Sequence, residues 1–419
     1  MIKKLAIIFI SLLVVGLLAA AMIVYWSELR GAGPAVLAPA YDISDRLDRT
    51  DPEPIEEPSS TEILYTTQGP LTLPVGMRID VYAENLGDPR EMEFSPSGDL
   101  LVSVPDEGKI VRLIDSDNDG IAESVVSVAA GLNKPHGFTF NCAAEPCQMY
   151  IGQQDGVSIY DWDAGTHTAI NGRDIISLPG GGRHWRKQLL IAPHEGQQKL
   201  FVKVASSCDT CYEEDARRGT IMIMNLDGSN AEIFATGLRN AAFMALHPVT
   251  GEIWVTEMGR DHLGNNLPPD EINVVRQGGD YGWPICYGQN VHDTVFDTNT
   301  YIQDPCTDKV PSHIDIPAHS SPLGLGFIPE EGWPEDWWYD LVVAYHGSWN
   351  RTPPTGYKLV KYMLDEEGNF LGVDDFISGW LDGSVSSGRP ADVLITPGGI
   401  MYVSDDKAGV VYRVTRTQQ

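Results

Sequence analysis

The sequence predicts an all-β fold, a six-bladed β-propeller, from three observations. Short apolar strands recur between residues 73 and 416, and turns rich in proline and glycine separate them. A unit of loop, strand, turn, strand, turn and strand repeats six times along this stretch. Almost none of it has the apolar period of an amphipathic helix. Strand-rich repeats of this kind close into a propeller, in which each repeat forms one blade.

Each repeat begins with a short segment that leads into the innermost strand of its blade. The six segments are Pro89–Phe94, Lys134–Phe138, Arg183–Arg186, Leu238–Asn240, Ser321–Gly324 and Arg389–Asp392. The apolar second strands that follow them are Leu100–Val104, Met149–Gly152, Leu200–Val204, Ile253–Glu257, Leu341–Tyr345 and Met401–Ser404. The segment Met77–Ala83 is a spare strand before the first repeat. We expect it to pair with the last blade and close the ring, which leaves few open strand edges.

The first 26 residues predict a transmembrane signal anchor. Lys3 and Lys4 precede an uncharged run of 22 residues from Leu5 to Trp26, and positive charge before such a run keeps the N-terminus in the cytoplasm. A secretory apolar region has ~7–15 residues, whereas a spanning helix needs roughly 20. The length favours an uncleaved anchor in the cell membrane, although Ala19–Ala21 would also suit a cleavage site. In both cases the rest of the chain is exported, to the periplasm or another extracytoplasmic space.

The composition of the exported part predicts a linker and limits the classes of molecule that it can bind. Residues 27–72 are acidic and rich in Pro, Ser and Thr, which predicts a disordered linker between the anchor and a body at 73–416. The formal net charge of the chain is −29, so electrostatic repulsion excludes nucleic acid as a partner. Such acidity suits a protein that faces small molecules or cations.

The chain has six cysteines, and disulfides persist in the oxidising compartments that an exported protein reaches. The pairs that lie close in sequence are Cys142 and Cys147, Cys208 and Cys211, and Cys286 and Cys306. We therefore predict three local disulfides. A thiol redox motif at Cys208 and Cys211 is the alternative, but no thioredoxin-like βαβ pattern surrounds it. A zinc site would need a second pair at matching spacing.

The entrances of the innermost strands bring polar residues onto one central funnel. Those residues are Arg90, His136, His184, Arg239, Asn240, Arg389 and Asp392. The stretch from Gly237 to Pro284 adds an acidic loop beside the fourth entrance. Cationic, amide and carboxylate groups that converge there suit an anionic cofactor and a hard cation. A solvated surface loop with an ordinary ion pair is the alternative interpretation of this stretch.

Four sets of residues together form a specific pattern. They are Gly237–Asn240, Asp270–Asn273 with Gly279–Pro284, Gly347–Arg351, and Gly388–Val393. With these motifs, residues 73–416 resemble the glucose/sorbosone dehydrogenase family, in particular its membrane-associated, sorbosone-type branch. Members of this family are six-bladed propellers that use pyrroloquinoline quinone (PQQ) and calcium. The resemblance therefore implies both cofactors and a sugar, or a related aldose or aldehyde, as substrate.

The resemblance also implies roles for individual residues. His184 corresponds to the catalytic base, and Arg239 lies where it would stabilise the charge that develops on the cofactor. The cofactor contacts that it implies are Arg239, Asn240, Arg351 and Arg389, and the funnel position of His136 adds a further candidate. The calcium ligands that it implies are the backbone carbonyls of Gly259 and Arg260, with Asp270, Glu271 and the backbone of Tyr281 at a second, structural site.

Four departures from the family pattern bear on substrate choice and on cofactor contacts. Met258 replaces an amide side chain, Ala391 replaces a second arginine, the segment Ser206–Asp209 replaces an Asp-containing loop beside the base, and residues 261–269 lengthen the calcium loop. None of them removes the base or the calcium loop.

The expected function is PQQ- and calcium-dependent oxidation of a sugar or related aldehyde. A histidine base takes the hydroxyl proton, because its usual pKa of about 6.5 suits neutral pH, and the hydride passes to PQQ. The chain has no C-x-x-C-H haem motif, so electrons must leave to a respiratory acceptor, a quinone or a cytochrome. Two alternatives stay open: a calcium-dependent lactonase-type hydrolase, and a non-catalytic propeller that binds carbohydrate.

Two further features lie outside this set. Asp115–Gly120 has the D-x-D-x-D-G pattern of a calcium loop, but Val126 occupies the twelfth position, where an EF-hand has Glu. A solvated turn and a peripheral structural calcium site are both compatible with that pattern. An aromatic cluster predicts blade packing rather than a sugar platform, and its members are Trp333, Trp337, Trp338 and Tyr339.

Overall fold

The computed structural model describes the backbone of residues 65–417 and the side chains of residues 69–417. Its main feature is a set of six antiparallel four-stranded sheets, which confirms the predicted six-bladed propeller. The predicted signal anchor at 1–26 and residues 27–64 of the predicted linker lie outside the described residues. Within residues 65–417, no helix is long and apolar enough to cross a membrane.

The strands are numbered β1 to β30 in chain order. The first blade contains β4 (Met92–Phe94), β5 (Leu100–Val104), β6 (Lys109–Ile114) and β7 (Ser124–Ala130). The second contains β8 (Phe138–Asn141), β9 (Gln148–Gln153), β10 (Gly156–Asp163) and β11 (Thr168–Ser177). The third contains β12 (Leu189–His194), β13 (Gln197–Val204), β14 (Thr220–Met224) and β15 (Glu232–Ala235).

The other three blades complete the ring. The fourth contains β16 (Ala241–Leu246), β17 (Ile253–Glu257), β18 (Asp270–Val275) and β21 (Ile314–Ile316). The fifth contains β22 (Pro322–Phe327), β23 (Leu341–Tyr345), β24 (Lys358–Leu364) and β25 (Phe370–Ile377). The sixth contains β28 (Pro390–Thr396), β29 (Ile400–Asp405), β30 (Val410–Arg416) and β3 (Met77–Ala83).

Strand β3 closes the ring as the sequence predicts. It pairs with β30 of the last blade, with Met77 opposite Arg416 and Ile79 opposite Val414. Strand β3, which precedes the first repeat in the sequence, thus completes the sixth and last blade. Closure of this kind gives β30, the third strand of the sixth blade, an outer partner that its own repeat does not supply.

A few short elements lie outside the blades. The hairpin β1 (Tyr65–Gln68) and β2 (Leu71–Pro74) occupies the end of the predicted linker, and Thr72 exchanges backbone hydrogen bonds with Ser378. Backbone pairing therefore extends ordered structure to a point before residue 73. The remaining hairpins are β19 (Cys286–Tyr287) with β20 (Val291–His292) and β26 (Leu381–Asp382) with β27 (Val385–Ser386), and the short 3-10 turns are Pro105–Glu107 and Glu335–Trp337.

The cores lie between neighbouring blades. Every residue of β5, β17 and β23 is buried, because a second strand is covered on both faces by the blades beside it, and β-branched apolar side chains suit such strands. Two of the aromatic residues predicted to pack, Trp333 and Trp337, are buried in the core between the fifth and sixth blades. Their packing role is thereby confirmed.

All three predicted disulfides are present. They are Cys142–Cys147, Cys208–Cys211 and Cys286–Cys306. The C-x-x-C motif therefore closes a loop between β13 and β14.

One face of the ring collects the predicted site residues. In an antiparallel pair, the start of the innermost strand lies beside the end of the second strand. In the fourth blade Ala241 pairs with Glu257, and in the sixth Pro390 pairs with Asp405. The entrances to the innermost strands therefore share this face with the loops that follow the second strands. We call it the funnel face.

Candidate active site

Arg239 is buried at the entrance to β16, where two loops of the funnel face hold its side chain. Its Nε donates to the carbonyl oxygen of Asp209 at 2.8 Å, and its Nη2 donates to Asp209 Oδ1 at 2.6 Å. Its Nη1 donates to the carbonyl oxygen of Met258 at 3.0 Å. Burial alone would raise the pKa of Asp209, but the N–H of Asp261 and the charge of Arg239 lower it. A charged pair therefore orients this guanidinium.

Asp261 connects three blades, although it belongs to the insertion that lengthens its loop. Its Oδ2 lies 2.5 Å from Nη2 of Arg183 and 3.5 Å from Nη2 of Arg239. Its Oδ1 accepts a 2.7 Å hydrogen bond from Nδ2 of Asn350, and its N–H donates to Asp209 Oδ1 at 2.9 Å. These partners come from the third, fourth and fifth blades, so the insertion joins their loops into one polar network.

His184, the predicted base, belongs to the same region. Its Nδ1 lies 2.9 Å from Oγ of Ser206, which follows the second strand of the third blade. Burial lowers the pKa of His184 to about 2, and the positive charges of Arg239, Lys203 and Arg183 act in the same direction. The imidazole is therefore neutral across the physiological range, as a general base must be, although in the free protein it is a weaker base than the expected pKa of about 6.5 implies.

Asn240 lies beside a thioether instead of a second amide. Its N–H donates to Oε1 of Glu257 at 2.8 Å, and its Nδ2 lies 3.2 Å from Sδ of Met258. Burial, together with the neighbouring carboxyl of Glu271, raises the pKa of Glu257 to about 8. The fourth-blade entrance thus combines an amide, a thioether and a protonated carboxyl.

The two residues predicted to bind calcium through their carbonyl oxygens have those atoms available. Gly259 donates its N–H to Oδ1 of Asp270 at 2.8 Å, and a Cβ at this position would lie 2.6 Å from the carbonyl oxygen of Pro269, so glycine is required. The side chain of Arg260 pairs with Asp293, with Nη1 2.7 Å from Oδ2. Within residues 65–417, no backbone N–H donates a hydrogen bond to the carbonyl oxygen of Gly259 or Arg260.

The carboxylates predicted for a second calcium site are buried and already hydrogen-bonded. The oxygens of Asp270 accept from the N–H groups of Gly259 and Ser321, both at 2.8 Å, and Glu271 Oε1 accepts from the N–H of Gly288 at 2.6 Å. Burial raises the pKa of each carboxyl to about 7. Tyr281 donates its phenol O–H to a carbonyl oxygen of β18 at 2.6 Å. This second calcium site stays a prediction.

A cationic cavity of about 580 Å³ opens between the loops of the fifth and sixth blades. Arg389 donates from Nε to the carbonyl oxygen of His346 at 2.9 Å, and Arg351 donates from Nη1 to a backbone carbonyl oxygen at 3.0 Å. The Nε atoms of Arg90 and Arg351 are buried without a hydrogen-bond partner among the described residues. The polar lining includes Arg90, His346, Arg351, Arg389, Asp406 and Lys407.

Asp406 is the acidic member of this cavity. It accepts a 2.9 Å hydrogen bond from Nε2 of His346 and forms an ion pair with Arg90. Burial alone would raise the pKa of Asp406, yet these two partners lower it to about 2. Burial lowers the pKa of His346 to about 4. One carboxylate therefore offsets only part of the positive charge of the cavity.

The cavity and the His184 region meet at the loop after β23. The indole of Trp349 is 63% exposed, and Cζ of Arg183 lies 5.7 Å from its ring centroid. The next residue, Asn350, bonds to Asp261. A ligand in the cavity would therefore lie beside the loops that hold the predicted base and Arg239.

His136 lies deep in the central channel. It is 1% exposed, its Nδ1 lies 3.6 Å from Oε2 of Glu91, and its ring centroid is 5.3 Å from that of Phe243. Burial lowers the pKa of His136 well below its usual value. Its predicted contact with the cofactor stays a prediction.

The D-x-D-x-D-G loop forms a separate acidic cluster between β6 and β7. Carboxylate oxygens of Asp115, Asp117, Asp119 and Glu123 lie within 4.8 Å of one another. Oδ2 of Asp115 accepts from the N–H of Gly120 at 3.0 Å, as an ordinary turn would also allow. A solvated turn and a calcium loop both stay compatible with this cluster.

Sequence reasoning did not single out several residues that hold the site together. They are Ser206, Asp209, Asp261, Asn350 and Asp406. The departures from the family pattern were the available signal for the first three, because they fall in the altered segment 206–209 and in the insertion 261–269. Asn350 lies in the Gly347–Arg351 motif, which gave no indication of its partner, and no signal pointed to Asp406, because the partners of both residues are distant in sequence.

Comparison with known proteins gives a consistent picture. Residues 71–417 match the family model described as TrAA12-like. The chain is 27% identical to an uncharacterized protein of Borreliella burgdorferi, over 82% of this chain and 90% of that protein. It is 22% identical to the pyrroloquinoline quinone-dependent pyranose dehydrogenase of Coprinopsis cinerea, over 81% of this chain and 54% of that protein. The chain thus spans about half the length of the fungal relative.

Solved structures show the same fold. The calcium structure of the Trichoderma reesei Carbohydrate-Active Enzymes Family AA12 protein has a TM-score of 0.72 at 21% identity, covering 85% of this chain and 99% of that chain. The holo form of the pyranose dehydrogenase PQQ domain from Coprinopsis cinerea has a TM-score of 0.69 at 20% identity, covering 86% and 99%. These likenesses concern the fold alone. Because the family model spans residues 71–417, the chain belongs to the TrAA12-like family, in agreement with its resemblance to PQQ-dependent sugar dehydrogenases.

Proposed function

We propose that this protein oxidises a sugar with PQQ and calcium as its cofactors. The observation that carries the proposal is the cationic cavity of about 580 Å³ on the funnel face, which adjoins the loops that hold a neutral histidine and a buried arginine. A site that combines an anion-binding cavity with a base suits oxidation of a neutral substrate by an anionic cofactor.

The cavity fits PQQ in its charge. PQQ is a planar aromatic molecule that carries carboxylates, and guanidinium groups bind carboxylates with paired hydrogen bonds. Arg351 and Arg389 line the cavity, as the family pattern implies, and Arg90 adds a third guanidinium. With Asp406 as the opposing carboxylate, the cavity keeps an excess of positive charge that a bound carboxylate would neutralise.

The loop after β17 fits calcium. Calcium prefers oxygen ligands, backbone carbonyls included, and the carbonyl oxygens of Gly259 and Arg260 accept no hydrogen bond from a backbone N–H of residues 65–417. We propose these two atoms as ligands of the cofactor's calcium. Asp270, Glu271 and the backbone of Tyr281 remain our candidates for a second, structural calcium site.

The residues of the chain would supply proton transfer and orientation. Bound PQQ would supply the hydride acceptor, and bound calcium would polarise it. His184 would take the proton of the substrate hydroxyl, because burial leaves its ring neutral in the free protein. Arg239 would present positive charge from a fixed position, because Asp209 holds its guanidinium.

The relatives support a sugar as the substrate class. Two of them are named as a PQQ-dependent pyranose dehydrogenase and a PQQ-dependent sugar dehydrogenase, so pyranoses and other aldoses are our first candidates, with sorbosone-type aldehydes next. We also propose that an N-terminal anchor holds the body outside the cell membrane, and that electrons pass to a respiratory quinone or cytochrome.

A turnover assay tests this function. The full-length chain is loaded with PQQ and calcium, and dye reduction is followed with a panel of pyranoses, other aldoses and aldehydes. We expect turnover of at least one sugar that requires PQQ. His184→Gln should lose about 10²- to 10⁴-fold in kcat, whereas the control His194→Gln, whose ring packs on Phe201 and Phe234 of the third blade, should retain it. Hydrolysis of lactones without PQQ, and no sugar oxidation, would support the hydrolase instead.

A further inference from the structure

The base candidate His184 has a hydroxyl as its hydrogen-bond partner. Oγ of Ser206 lies 2.9 Å from Nδ1 of His184, and Ser206 is fully buried. The backbone N–H of Ser206 donates to the carbonyl oxygen of Arg239 at 2.8 Å, so the hydroxyl is placed by a backbone that is itself held. The same hydroxyl also lies 2.8 Å from the carbonyl oxygen of Cys208.

The direction of these hydrogen bonds follows from counting protons. A serine hydroxyl has one proton and two lone pairs, whereas a carbonyl oxygen can only accept. The contact between Ser206 and the carbonyl of Cys208 therefore uses the single hydroxyl proton. The hydroxyl can meet His184 only as an acceptor, and Nδ1 of His184 must be the donor.

We infer that Ser206 is a positioning residue that holds His184 in the Nδ1-protonated tautomer, which leaves Nε2 as the atom that accepts the substrate proton. This inference deepens the proposed function and rests on it for its catalytic meaning. When Nδ1 of the neutral ring carries the proton, the lone pair that can accept another lies on Nε2. In water the Nε2-protonated tautomer of histidine predominates, so the protein must impose the other one.

A disulfide and hydrogen bonds fix the loop that carries the carbonyl group of Cys208. Cys208 is joined to Cys211 by a disulfide, and between them Asp209 accepts two hydrogen bonds from Arg239. The carbonyl oxygen of Cys208 therefore has little freedom to turn away from Ser206. In this chain a hydroxyl and a backbone carbonyl together perform the orienting task that a carboxylate performs beside other catalytic histidines.

Nitrogen NMR of the full-length chain without PQQ tests the inference directly. With 15N-labelled histidine, a protonated ring nitrogen and an unprotonated one have well-separated shifts, and His184→Gln identifies the signals. We expect Nδ1 of His184 to carry the proton in the wild type. Ser206→Ala should shift the ring toward the Nε2-protonated tautomer, and Ser206→Thr, which keeps a hydroxyl, should restore the wild-type pattern.

Ser207→Ala is the matched control. The Ser207 hydroxyl bonds to Glu213 at 2.7 Å, and the change should leave the His184 signals as they are.

In the loaded enzyme, Ser206→Ala should lower kcat about 10- to 100-fold, a part of the contribution of a general base, with KM and PQQ affinity unchanged. A wild-type spectrum with the proton on Nε2, or a Ser206→Ala spectrum that keeps it on Nδ1, would overturn the inference. Because the spectra need neither PQQ nor a sugar, failure of the proposed function would leave them unaffected.

Discussion

Nη2 of Arg239 donates a 2.6 Å hydrogen bond to Oδ1 of Asp209. Asp209 lies inside the short loop that the Cys208–Cys211 disulfide closes. The carbonyl of Cys208 accepts from Ser206, which in turn contacts His184. One loop therefore positions both the candidate base and the arginine, and its residues should affect turnover more than their distance from the cofactor cavity suggests.

Removal of Asp209 should destabilise the fold. Arg239 is 4% exposed as a side chain, and loss of the Asp209 carboxylate leaves its buried charge with only the more distant carboxylate of Asp261, at 3.5 Å, which costs about 3 kcal/mol, the lower end for a broken buried pair. Asp209→Ala should therefore lower the free energy of unfolding by about that amount in urea. The control Asp215→Ala breaks an exposed pair with Arg217 on the same loop and should cost less than about 1 kcal/mol. Equal losses in the two variants would contradict the placement of Arg239.

Removal of either of the two short disulfides should lower stability to a similar extent, but removal of only one of them should lower turnover. By loop-closure entropy, Cys208→Ser/Cys211→Ser and Cys142→Ser/Cys147→Ser should each cost about 2 kcal/mol of stability, because the sequence separations are only 3 and 5. Only the first pair holds the loop beside His184 and Arg239, so only its loss should reduce kcat strongly. Thermal unfolding and dye-reduction kinetics of both variants check this. A similar decrease in kcat for both would show that the loop has no special role.

The stability of the protein without PQQ should depend on pH through His184. Burial lowers the pKa of His184 to about 2 in the folded state, whereas the unfolded value is about 6.5. Between these values the unfolded chain binds a proton that the folded chain does not, so stability decreases as the pH falls below about 6.5. His184→Gln lacks this effect, and between pH 7 and pH 5 it should lose about 1–2 kcal/mol less than the wild type. Urea unfolding at both pH values measures the difference, and parallel losses would argue that His184 is solvated.

The propeller and its closure could be predicted because they depend on local patterns. Six repeats of short apolar strands define the blades, and Met77–Ala83 has an apolar face but no partner within its own repeat. The disulfides were predictable for the same reason, since each pair is close in sequence. These features need no knowledge of how distant loops meet.

The contacts within the site could not be predicted from such patterns. Asp261 bonds to Arg183 and Asn350, which are distant in sequence and come from two other blades. Their meeting depends on the conformation of the loop insertion, where the next residue, His262, has a positive φ of 68°. A residue-by-residue comparison with the family had no counterpart for that insertion. The pairing of His346 with Asp406 likewise requires the fifth and sixth blades to be placed first.

An absorbance titration with PQQ, with and without calcium, tests the central claim most directly. The account predicts saturable uptake of one PQQ per chain that weakens when calcium is chelated, because the carbonyl oxygens of Gly259 and Arg260 would then lack their ion. Arg389→Gln should weaken uptake by about 10- to 100-fold, the effect of losing one charged hydrogen-bonding partner, while Arg217→Gln, at an exposed pair, should not change it. Absence of PQQ uptake by the folded wild type, with calcium present, would contradict the account.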